Sequence, residues 1–230
     1  TETEEFNAYI ASFREEAKQC YTPPERDMPG VSAQLFLHEK VTPHDTSEQK
    51  SVNKTKDGLQ VFSDVGWAVI RTNLRHADQD IAFLFRSSPY GAISHSHANN
   101  NDFIIHAGGK VLAMPSGYYS GYGSDHHAHW VWHTKSHNCL TLSDAPQLMR
   151  SHHSRGYIDH IFEDERLIYF RGVADASYQD RATRCRRHVC FFKQHTCFLL
   201  VDEYIARWDV VSALQWNIHS RARFEVGSVA

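Results

Sequence analysis

A chain of 230 residues, 41% hydrophobic and 22% charged, can bury one substantial core, and it holds no run of about 20 apolar residues that could span a bilayer. The formal net charge of −3 and a pI near 6.6 exclude a nucleic-acid binder acting through bulk positive charge. The cysteines, Cys20, Cys139, Cys185, Cys190 and Cys197, are odd in number and contain no CxxC pair, which fits neither a disulfide framework nor a zinc knuckle.

The opening Thr1–Glu5 has no initiator Met, basic region or apolar stretch, so the segment reads as lacking a signal peptide and the chain as cut at both ends. Residues 2–20 place Phe6, Ile10 and Phe13 at helical spacing among charges, which predicts a short amphipathic helix over 1–21. Tyr21-Thr-Pro-Pro24 stops it. Residues 22–58 are polar and turn-rich, a linker with one predicted strand at 33–38.

From residue 59 to 230 the pattern changes to strands. Ten short stretches rich in aromatic and β-branched residues are predicted, at 59–62, 67–73, 81–86, 103–107, 110–114, 138–142, 167–173, 188–193, 196–204 and 213–219. With little helix between them, they predict a mainly β chain folded as an antiparallel β-sandwich. Arg181, Arg184, Arg186 and Arg187 form a basic cluster, read as a solvated strand edge.

Most of the 17 histidines lie between His95 and His160, a concentration that points to metal binding, proton transfer or anion binding. His95-Ser-His97 in extended backbone would put both imidazoles on one face, suited to two metal ligands or to one ligand beside one catalytic histidine. Ser116-Gly-Tyr-Tyr-Ser-Gly-Tyr-Gly-Ser124 offers tyrosine faces and hydroxyls to sugar rings, Tyr118 and Tyr119 among them. His129, His133 and His137 recur every four residues, which predicts one face of a helical turn. Arg86, Lys135, Arg150 and Arg155 are candidate contacts to carboxylate or sulfate.

Several motifs occur together and in order. His95-Ser-His97, the segment Leu112-Ala-x-x-Ser-Gly-Tyr-Tyr119, Thr134-Lys-Ser-His-Asn138 and Gln147 resemble the β-sandwich domain of heparinase II/III-like polysaccharide lyases. Asp64-Val-Gly-Trp-Ala-Val69 and Phe85-Arg-Ser-Ser-Pro-Tyr-Gly91 are similar to the subgroup of oligo-alginate lyases and exolytic heparinases. The resemblance implies that residues 1–21 end an upstream α/α-toroid and that further catalytic residues, a tyrosine among them, belong to that domain. It implies that His95 is the sandwich's catalytic histidine and that His97 and His137 match two ligands of a divalent metal, zinc or calcium. Members with the metal carry a carboxylate before Ser-Gly-Tyr, where this chain has Met114-Pro115.

The implied activity is β-elimination on a uronic-acid polysaccharide or oligosaccharide in the periplasm or outside the cell, with heparin or heparan sulfate favoured over alginate. The partners are then the acidic polysaccharide and the toroid, with no nucleic acid and no organic cofactor. A non-catalytic carbohydrate-binding sandwich and a metal-storage module are the alternatives from other classes.

Overall fold

Alternating burial along short apolar stretches builds three antiparallel sheets. The computed structural model describes residues 57–117, 121–207 and 209–224. The predicted helix over 1–21, the strand at 33–38, most of the linker, Tyr118 and Tyr119 lie outside the described residues. Strands β1 (Gly58–Phe62), β2 (Trp67–Arg71), β3 (Ile81–Arg86), β4 (Asp102–Ala107) and β5 (Lys110–Ala113) pair in that order. A second sheet holds β7 (Tyr157–Glu163), β8 (Leu167–Val173), β9 (Ala182–Phe192) and β10 (Cys197–Ala206), in the order β10-β9-β8-β7. Strand β6 (Leu140–Leu142) pairs with β11 (Leu214–Trp216).

Period-two side chains from both large sheets meet in one core. Ala68, Ile70, Phe83, Phe85, Phe103 and Ala113 come from the first sheet, and Ile168, Phe170, Val189 and Phe191 from the second. Phe83 stacks on Phe103 at 5.6 Å and on Phe198 at 4.7 Å, and Phe85 meets Phe170 edge-on at 5.2 Å. Each such side chain contributes roughly 1.5–3 kcal/mol on burial. The chain is therefore an antiparallel β-sandwich, as its strand pattern predicts.

Three local expectations are corrected. Strand β7 is absent from the sequence reading: a register shift between Asp159 and Phe162 and a left-handed φ of 48° at His160 break its alternation. Arg187 is not at a solvated edge but buried, on the inward phase of β9 with Cys185, Val189 and Phe191. His129, His133 and His137 do not share a helical face. His129 lies in a π-turn at His127–Val131, whereas His133 and His137 are extended and bracket a 3-10 turn at Thr134–Ser136.

Candidate active site

Three connections converge: 87–101 between β3 and β4, 114–139 between β5 and β6, and 143–156 between β6 and β7. Buried polar groups stitch them together. The Thr134 hydroxyl donates to Ala98 O at 2.7 Å and accepts the Gln147 N–H at 2.9 Å. The Gln147 side-chain amide pairs with both backbone groups of Asn100, accepting its N–H at 2.9 Å and donating to its carbonyl at 2.8 Å. Ala92 and Ser151 exchange backbone hydrogen bonds of 2.9 and 3.1 Å. Gly91 permits that approach: at φ +77° it takes the left-handed region, and a Cβ there would lie 2.8 Å from His152 Cα and Ser151 O.

The His95-Ser-His97 geometry differs from the extended reading. Residues 94–95 form a turn with Ser94 at φ 55°, so the two rings part. His95 is exposed, 6.3 Å from the Tyr122 ring, and forms no hydrogen bond with the described residues. His97 turns inward, 5.8 Å from Trp132 and 5.3 Å from His137. Burial, the His137 ring and Arg86 hold its pKa down at about 4, so it is neutral at physiological pH.

Asp102 anchors the neighbouring segment. Its Oδ2 lies 2.9 Å from His137 Nδ1 and accepts from Asn99 Nδ2 at 3.2 Å, while its Oδ1 accepts the N–H groups of Phe103 and Asn138 at 2.8 and 2.9 Å. Burial raises the carboxyl's pKa, but His137 and these donors outweigh it and hold the group below the usual range. The signal for this anchor was present in the run Asn99-Asn-Asn-Asp102 that begins two residues after His97, which the sequence reading passed over.

A cleft of about 360 Å³ is lined by Ile93, Ser94, Tyr122, Gly123, His127, Ala128, Trp132 and Arg150. His127 sits between two of its walls, its Nδ1 3.0 Å from the Gly123 N and its Nε2 2.7 Å from the Trp132 indole N. A neutral imidazole has one acceptor nitrogen, so the ring takes one of these two N–H groups at a time. The Arg150 guanidinium lies 5.2 Å from the Trp132 ring centroid.

Residues 54–229 match the family "Heparinase II/III-like, C-terminal". The chain belongs to the heparinase II/III-like family. Among solved structures with a similar fold, a heparinase III gene product is 23% identical, with a TM-score of 0.54 over 64% of this chain and 22% of its own. The heparan sulfate lyase HepC from Pedobacter heparinus is 20% identical, with a TM-score of 0.53 over 65% of this chain and 22% of its own. This chain thus spans about a fifth of the length of those lyases. No curated protein matches it.

The cations predicted to bind substrate fare differently within this heparinase-like domain. Arg86 points into the fold and donates to Asn99 Oδ1 at 2.5 Å and Asn100 Oδ1 at 3.3 Å. Burial lowers its pKa, against the opposing pull of Asp102. Lys135 is ion-paired with Asp144, and Arg155 Nε donates to His152 O at 3.0 Å. Arg150 alone of the four lines the cleft.

The residues do not fit the family's divalent metal. His137 Nδ1 faces Asp102, and the Val131 carbonyl oxygen stands 3.3 Å from its Nε2, where a metal would have to approach. Met114-Pro115 brings no carboxylate, and no group of three or more His, Cys, Asp or Glu is arranged for a metal among the described residues.

Proposed function

We propose that this chain is the sandwich portion of a polysaccharide lyase that cleaves a uronic-acid-containing polymer by β-elimination, heparin or heparan sulfate in preference to alginate. The single observation that carries the reading is His95: an exposed imidazole, uncommitted to any described partner, next to Ser94 and 6.3 Å from Tyr122, two residues that line the cleft, in a chain of the heparinase II/III-like family. Elimination removes the proton next to a carboxylate and expels the glycosidic oxygen. An imidazole at His95 is available either to accept that proton or to hydrogen-bond the carboxylate as charge builds on it. The remaining acid–base group comes from an upstream toroid domain in this reading, and the protein works in the periplasm or outside the cell. HepC is a heparan sulfate lyase, and its similarity in fold supports the preference for glycosaminoglycan.

The test uses the full protein that carries this chain, incubated separately with heparan sulfate, heparin, chondroitin sulfate and alginate. A rise in the ultraviolet absorbance of the conjugated unsaturated uronate is expected with heparan sulfate or heparin. His95→Ala should reduce turnover by roughly 10²–10⁴-fold, the usual contribution of one acid–base group. Its melting temperature should change little, because the ring is exposed. Wild-type turnover in that variant would remove His95 from the chemistry. No product from any of the four, with folded protein, would favour a sugar-binding module without catalysis.

A further inference from the structure

Of the four cations Arg86, Lys135, Arg150 and Arg155, Arg150 is the one without a hydrogen bond or ion pair among the described residues. Arg86 is held by Asn99, Lys135 by Asp144, and Arg155 by the His152 carbonyl. The Arg150 guanidinium has no hydrogen bond or ion pair with the described residues and lies over the face of Trp132. A guanidinium over an aromatic face keeps its N–H groups available to an anion, and Arg150 lines the cleft.

The backbone is also specialised at this point. Arg150 sits at φ 49°, an unusual conformation for a residue with a side chain. The next residue, Ser151, is locked to Ala92 by two hydrogen bonds, and Gly91 lets the two loops touch. Arg150 is therefore positioned from the same loop that carries Ser94 and His95. Tyr122, 74% exposed, stands at the cleft between the two sides: its ring lies 6.3 Å from His95 and 4.7 Å from His127.

We infer that Arg150, backed by Trp132 and faced by Tyr122, forms an anion subsite that binds an oxyanion group of an acidic sugar, its ring resting on Tyr122. The guanidinium supplies a two-pronged donor that suits carboxylate and sulfate alike, and the exposed tyrosine face suits the apolar side of a pyranose. The subsite rests on the lyase reading for its substrate class but needs no catalysis in order to bind.

Binding is measured by calorimetry on the full protein in a His95→Ala background, so that turnover does not consume the probe. The probes are a sulfated heparin oligosaccharide, an unsulfated heparosan oligosaccharide and an oligo-alginate. Arg150→Gln should weaken affinity roughly 10- to 100-fold, as expected for one charge-assisted pair. Arg150→Lys should recover part of the loss, since it restores the charge without the fork. A loss confined to the heparin probe assigns the contact to sulfate, and a loss on every probe that binds assigns it to the carboxylate; both support the subsite. Unchanged affinity in Arg150→Gln for every probe that binds, or no binding of any probe before the Arg150 substitution, overturns it. If the unsubstituted protein yields no unsaturated product while Arg150→Gln still loses affinity, the subsite stands and the lyase reading falls.

Discussion

Gly91 and His137 show how single residues set what the site can hold. An alanine at Gly91 would combine a left-handed backbone with contacts to the chain at Ser151 and His152 that cannot retreat as a flexible side chain would. We expect Gly91→Ala to destabilise by about 1–3 kcal/mol through backbone strain, with a further cost from parting the loops. Thermal unfolding would register the first effect, and weakened oligosaccharide binding would register the displaced Arg150. At His137 the question is metal. With Asp102 and Val131 O occupying both sides of the ring, the protein dialysed against chelator should retain its melting temperature, and elemental analysis should find no stoichiometric zinc or calcium. A fall in melting temperature that added zinc reverses would restore the metal.

Among the elements, the β2–β3 connection depends on one carboxylate. Asp80, 4% exposed, accepts the N–H groups of Thr72 and Asn73 at 2.9 and 2.8 Å and Arg71 Nε at 2.5 Å. Burial acts to raise its pKa, but the Asn73, Arg71 and Thr72 donors together bring it below the ordinary value. The folded state thus holds the proton less tightly than the unfolded chain. The stabilisation is fully present above the unfolded value of about 3.9 and is lost as pH falls through the folded pKa. Asp80→Asn should lower stability at neutral pH by about 1–3 kcal/mol and flatten the acid end of the pH–stability curve, read by urea unfolding across pH. An unaltered acid limb would mean that Asp80 is not the group titrating there. Elements of this kind were legible where alternation was intact: β3, with inward Phe83 and Phe85, was predicted over its observed span. Strand β7 was not, because its bulge spoils the period, nor was the first half of β9, where Arg184 and Arg186 mask the strand. Those arginines are paired with Glu203 and Asp175, partners supplied by tertiary structure and invisible in a local window.

At the scale of the whole molecule the same blindness applied to Arg187, which joins more of the fold than any other charge described. It pairs with Asp202 on β10 through Nε and Nη2 at 2.8 and 2.9 Å, and its Nη1 donates to Asn101 O and Asn138 O, each at 2.6 Å. Phe103 and Trp216 flank it at 5.4 and 5.5 Å, and the Trp216 indole donates to Asp202 Oδ2 at 2.8 Å. One side chain thus links the second sheet to the entry of β4, the entry of β6, and β11. The motif order around His95 and Thr134–Asn138 was readable, since residue type and spacing carry it. The brace behind those motifs was not, since an arginine reads as surface until a partner is found for it. Asp202 lowers the cost of burying the charge, and its attraction keeps the guanidinium's pKa above the ordinary value despite that burial. Arg187→Leu would leave Asp202 unpaired and two buried carbonyls without their donor, a loss of about 3–5 kcal/mol. For a domain of this size that lowers the melting temperature by about 10 °C. Leucine at both 187 and 202 should be less damaging than leucine at 187 alone, because no unpaired charge remains. A single variant that melts with the parent would mean that Arg187 does not brace the sheets, and calorimetry on the three proteins decides it.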